Sequence, residues 1–131
     1  MGRKEAPRRI AVIGGGAGGL CAAIAAGQAG ADVAIFEQAN RVGKKLRITG
    51  KGRCNITNSA DIEDFIGNVP TNPRFLYSAF YSFTNEDIVA LLNSLGVKTK
   101  VERGGRIFPV SDSAKEVADA LRKYALKKNV K

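Results

Sequence analysis

The 131-residue sequence contains no histidine and only two cysteines. Without histidine the chain cannot form a Ser-His-Asp triad, a Cys-His pair or a histidine-based zinc site. Two cysteines are too few for a structural zinc site or for the disulfide framework of a small secreted protein. If the protein is an enzyme, we therefore expect something other than its own side chains to supply the difficult chemistry.

Long hydrophobic runs are absent as well. The most apolar stretch, residues 20–29, is shorter than the roughly 18 to 20 residues of a membrane-spanning helix, and it contains Gly27 and Gln28. Glycines also interrupt the apolar run after the basic start at residues 1–8, which argues against a signal peptide. With 44% hydrophobic and 25% charged residues, we expect a globular, cytoplasmic protein in which residues 1–131 form one domain after a basic, flexible start.

The positive charge is concentrated in one segment. The net charge is +9, and residues 41–53 contain six lysines and arginines, whereas no acid occurs between Glu37 and Asp61. Such a segment can neutralise the phosphates of a bound nucleotide, bind nucleic acid or form a solvated surface. Charge alone does not separate these alternatives.

The first 37 residues have the pattern of a βαβ unit. Residues 9–13 are apolar and partly β-branched and predict a buried parallel strand. Small residues over 18–29 predict a close-packed helix that ends near Gly30, and residues 32–37 predict a second strand. We therefore expect an α/β fold, with a Rossmann-like unit, additional helices and a small β-hairpin.

Further elements follow a long basic connection over residues 41–58. Residues 73–83 predict a helix with aromatic side chains on one side. Thr84 and Asp87 resemble a capping box that opens a helix through Leu95. An edge strand over 97–102 and a turn at 103–106 predict the hairpin. The last helix, capped by Ser111 or Ser113, has small and apolar residues at helical spacing: Ala114, Val117, Ala118, Leu121 and Ala125.

A glycine motif lies between the first strand and the first helix. Gly14, Gly16 and Gly19 satisfy G-x-G-x-x-G, and Glu37 follows at the end of the second strand. The motif alone is a weak signal, but this strand–helix–strand context is the one that binds dinucleotides. Gly14 makes the tight turn, Gly16 lets the backbone approach a diphosphate, and Gly19 brings helix and strand together.

The motif predicts which groups bind the ligand. Free N–H groups at Ala17 and Gly18 would donate to phosphate oxygens at the positive end of the helix. Glu37 would accept hydrogen bonds from a ribose, which favours a 2′-hydroxyl over the 2′-phosphate of NADP, although Arg41 lies nearby. The motif does not separate NAD from FAD. The alternative is a purely structural turn with a solvated Glu37.

Two further strings carry a family resemblance. Gly52-Arg53-Cys54-Asn55-Ile56-Thr57-Asn58 is one, and Glu102-Arg103-Gly104-Gly105-Arg106-Ile107-Phe108-Pro109 followed by Ser111 is the other. Together with the glycine motif they resemble NAD(P)/FAD-dependent oxidoreductases related to aminoacetone oxidase and to a flavin-dependent bile-acid reductase. The resemblance covers the chain from Arg9 to about Leu126.

The resemblance implies that FAD is the cofactor, with NAD(P)H as a candidate reductant. It places the diphosphate at Gly14 to Gly19, the ribose at Glu37 beside Gln38, and the 43–58 loop along the cofactor toward the flavin. Lys44, Lys45 and Arg53 would face phosphate or a reduced flavin anion, and Gly50 and Gly52 would permit close backbone approach. Thr49, Asn55, Thr57 and Asn58 would supply hydrogen-bonding groups. Cys54 is not expected to form a catalytic disulfide, and Cys21 is expected as a small buried residue.

The length departs from the resemblance, because similar flavoproteins are much longer. We therefore expect a truncated product with an incomplete doubly wound sheet. Its exposed strand edges would favour self-association, and FAD would bind weakly or not at all. The sequence thus predicts the FAD-binding portion of a flavin-dependent oxidoreductase acting on an unidentified small molecule, with no assignable catalytic residue. The alternatives are an NAD-binding dehydrogenase domain and, less favoured, a basic nucleic-acid-binding module.

Overall fold

The computed structural model of the chain describes residues 6–128 and 130–131; residues 1–5 of the predicted basic start lie outside this description. Two parallel strands, β1 (Arg9–Ile13) and β2 (Asp32–Phe36), are joined by helix α1 (Ala17–Gln28). Arg9 is paired with Asp32 and Ile13 with Phe36. The predicted βαβ unit is therefore confirmed, with boundaries that differ from the predicted ones by one residue.

The chain end pairs with the outer side of β2. Val130 forms a parallel bridge with Val33, and the Lys131 N–H donates to the Val33 carbonyl at 2.9 Å. The Ile35 N–H in turn donates to the Lys131 carbonyl at 2.8 Å. β2 thus lies between β1 on one side and residues 130–131 on the other.

The hydrophobic core lies between the parallel strands and the helices on one side of them. α1 contributes Leu20 and Ile24, and β2 contributes Val33, which is 1% exposed. Helix α5 (Ala114–Leu126) adds the five small and apolar residues that the sequence placed on one face, and all five are buried. Helical periodicity therefore predicted this face correctly.

The prediction that residues 9–13 form a buried strand is wrong. Ile13 is 81% exposed and Ile10 is 39% exposed, and Phe36 at the end of β2 is 59% exposed. A parallel strand needs layers on both sheet faces to be buried. Here α1 packs on one face, and a shallow cavity on the strands, lined by Ile10, Ala34 and Phe36 among others, is open.

A second sheet of three antiparallel strands has the order β3–β5–β4. Strands β4 (Thr99–Val101) and β5 (Arg106–Pro109) form the predicted hairpin around a short 3₁₀ turn, Arg103–Gly105. β3 (Thr57–Asn58), which the sequence analysis missed, pairs with β5 and so connects the basic loop to the hairpin. A two-residue strand has too little sequence pattern to be recognised.

The remaining helices confirm some predictions and correct others. Thr84 and Asp87 form the predicted capping box at the start of α4 (Asn85–Ser94), and Ser113, rather than Ser111, caps α5. The predicted helix over 73–83 is instead a 3₁₀ turn (Pro73–Leu76) followed by α3 (Tyr77–Ser82). Its aromatic side chains do not share one buried side, and several are largely exposed: Phe75, Tyr77, Tyr81 and Phe83. The sequence analysis also missed α2 (Ile62–Gly67).

Candidate functional site

The glycine loop joins the end of β1 to the first turn of α1. Gly14 has a left-handed φ of +96°, and its N–H donates to the Phe36 carbonyl at 2.8 Å. A Cβ at Gly19 would stand 1.9 Å from the Gly14 oxygen, whereas a Cβ at Gly16 would meet no atom within 4 Å. The loop is therefore closed toward the helix at Gly19 and open beside Gly16.

The first turn of α1 has backbone donors without helical partners. The first helical hydrogen bond runs from the Leu20 N–H to the Gly16 carbonyl at 2.9 Å. No side chain caps this end, and the first turn contains no acid. The N–H groups of Ala17, Gly18 and Gly19 precede that bond and have no carbonyl partner within the helix. With the positive end of the helix dipole, they can bind an anion such as a diphosphate.

Glu37 lies directly against the glycine loop. Its Oε2 accepts the Gly15 N–H at 2.7 Å, and its Oε1 accepts the Ala39 N–H at 2.8 Å. These two backbone donors, Ala39 first, hold the pKa of the Glu37 carboxyl below its ordinary value. Each carboxylate oxygen keeps a further lone pair. An ionised acceptor thus stands beside the unpaired helix donors, as the spacing of the motif predicted.

Two contacts to the glycine loop were missed from the sequence. The Gly43 N–H donates to the Gly15 carbonyl at 2.7 Å, and a Cβ at Gly15 would stand 2.6 Å from Val42 Cγ1. Gly15 occupies a variable position of the motif, so the motif gives it no role. The available signal was Gly43 itself, a glycine beside two lysines in a basic segment.

The other predicted residues near Glu37 are exposed. Gln38, Lys44 and Lys45 lie on the surface of the segment after β2. The charge of Lys44 contributes to the lowered pKa of Glu37, although less than the backbone donors do. The positive charge of Lys44 therefore favours the ionised form of the Glu37 carboxyl.

Residues Thr49 to Asn55 form an irregular turn at the end of a 3₁₀ helix (Leu46–Gly52). Thr49 Oγ1 donates to the Leu46 carbonyl at 2.8 Å. A Cβ at Gly50 would stand 3.0 Å from the Asn55 nitrogen and 3.1 Å from the Phe108 ring, while Gly52 borders open space. The predicted glycine roles therefore differ: Gly50 permits close packing within the protein, and Gly52 leaves its surface open.

Arg53 contacts three protein side chains, although its own side chain stays 36% exposed. Its Nη2 donates to Glu102 Oε1 at 2.5 Å and to Asp112 Oδ1 at 2.7 Å. Its guanidinium carbon also lies 4.2 Å from the centre of the Phe108 ring. A guanidinium that two carboxylates already neutralise has less to offer a phosphate. The phosphate contact assigned to Arg53 stays a prediction.

An apolar cavity of about 240 Å³ connects the glycine motif with the Gly52–Asn58 string. It is lined by Ala17, Gly18 and Cys21 of α1 and by Cys54 and Ile56, together with residues of α4 and α5. Both cysteines are free thiols, and burial raises the pKa of each. Cys54 is fully buried, whereas Cys21 is only half-buried, which corrects the expectation that Cys21 is buried.

The residues that the structure describes contain neither a candidate metal site nor a candidate membrane-spanning helix. Over 6–128 and 130–131, no cluster of three or more histidine, cysteine or acidic side chains could hold a metal ion. In the same residues, no helix is both long and apolar enough to cross a membrane.

Comparison with known proteins identifies the family of this chain. The model of the HI0933-like protein Rossmann domain matches residues 8–131. Among solved structures, the crystal structure of Thermovibrio ammonificans THI4 matches 95% of this chain and 37% of its own, with a TM-score of 0.60 and 18% identity. At that identity the likeness concerns the fold.

Curated relatives are similar over most of this chain. The 3-dehydro-bile acid delta(4,6)-reductase of Clostridium scindens is 40% identical over 126 residues, which are 94% of this chain and 30% of the relative. The ribosomal RNA dihydrouridine synthase of Escherichia coli is 35% identical over 119 residues, or 91% and 29%. The Haemophilus influenzae enzyme of the same name is 29% identical over 111 residues, or 85% and 27%. The chain thus spans less than a third of the length of these relatives.

Proposed function

This chain belongs to the HI0933-like Rossmann-domain family, and we propose that its glycine loop binds the diphosphate of FAD. One observation carries the proposal: the ionised Glu37 carboxylate lies 2.7 Å from the Gly15 nitrogen, beside a helix start whose N–H groups lack partners. A diphosphate needs such donors, and the ribose next to it needs such an acceptor. The open space at Gly16 leaves room for the ligand.

The glycine loop and Glu37 hold the adenosine half of the cofactor in this proposal. The N–H groups of Ala17 and Gly18 donate to diphosphate oxygens, and Gly14 and Gly19 shape the turn. Glu37 accepts a ribose hydroxyl with the lone pairs that Gly15 and Ala39 leave free. Gln38, exposed next to Glu37, is available to the same nucleoside.

The basic loop follows the cofactor toward the flavin. Lys44 and Lys45, both exposed, offset the negative charge of the diphosphate. Thr49, Gly50, Gly52 and Asn55 line the path beyond it. Support comes from the cavity that Gly18 shares with Cys54, because this cavity places the Gly52–Asn58 string next to the start of α1.

FAD, when bound, would supply hydride and electron transfer, which amino-acid side chains do not perform. The described residues position the cofactor, and the catalytic groups are not assigned to them. We propose that the whole protein is a flavin-dependent oxidoreductase with NAD(P)H as a candidate reductant. By analogy with the relative from Clostridium scindens, its substrate is a small molecule with a reducible double bond.

A second candidate substrate is RNA. Two relatives are named ribosomal RNA dihydrouridine synthases, and dihydrouridine is uridine with two more hydrogen atoms. The observation that favours RNA is the net charge of +9 with six cations in residues 41–53. A surface of this charge attracts polyanions. A flavin enzyme that reduces a base in RNA would account for both the dinucleotide motif and the basic loop.

Replacing Gly16 tests the cofactor proposal. Gly16 has an extended backbone (φ −75°, ψ −171°) and open space beyond its Cα, so Gly16→Leu is compatible with the fold. The leucine would fill the space for the diphosphate and weaken FAD binding by at least about tenfold. Gly67→Leu is the matched control, because Gly67 is also surrounded by open space. FAD fluorescence and calorimetry measure both.

The outcomes separate the candidates. Equal FAD affinity in Gly16→Leu and Gly67→Leu would contradict the proposal. Binding of NADH but not FAD, with the same loss in Gly16→Leu, would favour the NAD-binding alternative. RNA association should fall steeply with salt and should persist in Gly16→Leu. Loss of RNA association in that variant would contradict the view that RNA and FAD bind at separate sites.

A further inference from the structure

The turn at the start of the Gly52–Asn58 string has an unfavourable backbone. Gly50, Lys51, Gly52 and Cys54 all have left-handed φ values, between +56° and +87°. Lys51 and Cys54 are not glycine, and the left-handed conformation is costly for a residue with a Cβ. Such a conformation persists only when surrounding contacts determine it. The contacts of Arg53, the residue between Gly52 and Cys54, are therefore of interest.

Arg53 connects this turn to two distant parts of the chain. It donates through Nη2 to Glu102, next to strand β4, and through Nε and Nη2 to Asp112, at 3.0 and 2.7 Å, just before α5. The same guanidinium lies over the ring of Phe108 in β5. Arg53 is thus held by two charged partners and one aromatic face, and it is bonded directly to Cys54 in the chain.

Lys100 completes the cluster. Its Nζ lies 2.9 Å from Asp112 Oδ2 and 3.4 Å from Glu102 Oε1. Each cation therefore contacts both carboxylates, and the four charges balance. Hydrogen bonds from Arg53 and Lys100 hold the pKa of Glu102 and of Asp112 below their ordinary values. In this cluster, which we call the Arg53 clamp, Nε and Nη2 of the guanidinium donate to carboxylates of the protein.

We infer that Arg53 is a positioning residue: its contacts with Glu102, Asp112 and Phe108 hold the left-handed turn in shape, keeping Cys54 buried, Asn55 exposed and the space beside Gly52 open. This role differs from the phosphate contact that the resemblance implies. Its consequence for FAD rests on the proposed function, in which the turn lies along the cofactor. Its consequence for Cys54 does not, because the thiol reports on the turn without any ligand.

Thiol labelling of Cys54 tests the inference. Cys21→Ala removes the other thiol. Cys21 lies within α1, and alanine has a high helix propensity. In this background Cys54 is fully buried and should react slowly with a coloured disulfide reagent. Arg53→Gln should open the turn and raise the labelling rate on the order of tenfold. Arg53→Lys, which keeps the charge but loses the fork, should give an intermediate rate.

Arg106→Gln is the matched control. Arg106 lies 5.9 Å from the same Phe108 ring, but its Nε donates to the Arg103 carbonyl. Its replacement should leave the Cys54 rate within about twofold of the background. Circular dichroism shows whether each variant keeps its secondary structure. If Arg53→Gln unfolds, Glu102→Gln, which removes one charge and keeps the size, must still accelerate labelling.

An unchanged labelling rate in folded Arg53→Gln, or equal acceleration in Arg106→Gln, would overturn the inference. If Arg53→Gln unfolds, an unchanged labelling rate in Glu102→Gln would overturn the inference too. Gly16→Leu should leave Cys54 labelling unchanged. Equal FAD affinity in Gly16→Leu and Gly67→Leu, with Arg53→Gln still accelerating labelling, would therefore count against the proposed function and not against the clamp.

Discussion

Gly19→Ala is the sharpest perturbation of the glycine loop, because the obstacle is backbone. The alanine Cβ would lie 1.9 Å from the Gly14 carbonyl oxygen and 3.4 Å from Val12 Cγ1. Contacts shorter than 3.0 Å are essentially never seen for a Cβ, so α1 and the end of β1 must separate by at least about 1 Å. No side-chain rotation relieves this contact.

Gly18→Ala is the control for Gly19→Ala, because it introduces alanine into the same helix without the clash. A Cβ at Gly18 meets no atom within 4 Å. Gly18→Ala should therefore raise the free energy of unfolding by a few tenths to about 1 kcal/mol, because alanine restricts the unfolded chain. Overpacking costs typically about 1–3 kcal/mol. We expect Gly19→Ala to be less stable than Gly18→Ala by about 2–3 kcal/mol, which for a chain of this size lowers Tm by roughly 8–12 °C.

Urea and thermal unfolding, followed by far-UV circular dichroism, measure the difference between the two variants. Gly27→Ala is a second test at the other end of α1, since its Cβ would lie 2.2 Å from the Lys128 carbonyl oxygen. If Gly19→Ala and Gly18→Ala differed by less than about 0.5 kcal/mol, the close approach of α1 and β1 would be refuted.

Other expected outcomes concern the core, the caps, acid stability and association. Leu121→Ala should lower the free energy of unfolding by about 2–5 kcal/mol, since Leu121 is 3% exposed; urea titration measures it. Thr84→Ala should cost about 1 kcal/mol in the same assay by removing the capping box. Lys115 and Arg47 lower the pKa of Asp119 to about 2, so its stabilisation is present above about pH 4 and lost toward pH 2; Asp119→Asn should flatten that part of the pH–stability profile. The exposed parallel strands should make the chain self-associate, and a concentration-independent monomer in sedimentation would contradict this.

The glycine loop shows how far local sequence reasoning extends. The order of strand, glycines, helix, strand and acid predicted that Glu37 lies beside the glycine loop, and the structure places its Oε2 2.7 Å from the nitrogen of Gly15, two residues before α1. This succeeds because a parallel βαβ unit fixes where its second strand ends relative to the first loop. The motif did not predict that Gly15 makes the contact, because its position in the pattern is variable.

Burial of the strands shows where such reasoning stops. An apolar, β-branched segment predicts burial only if other layers cover it, and residues 9–13 contain no information about those layers. The 3₁₀ turn and short helix over 73–82 are a similar case. The aromatic residues suggested a packed face, but no pattern within the segment specified a partner for it.

The sequence by itself determined the elements whose signals are local: the βαβ unit, the capping box, the hairpin and the buried face of α5. Only the tertiary structure decided the partners of Arg53, because Glu102 and Asp112 lie 49 and 59 positions away along the chain. From sequence alone, a cation in a basic segment is interpreted as a phosphate ligand, because the carboxylates that folding brings to it are distant in the chain. The same guanidinium can bind a ligand or hold a turn, and which it does depends on the neighbours that the fold supplies.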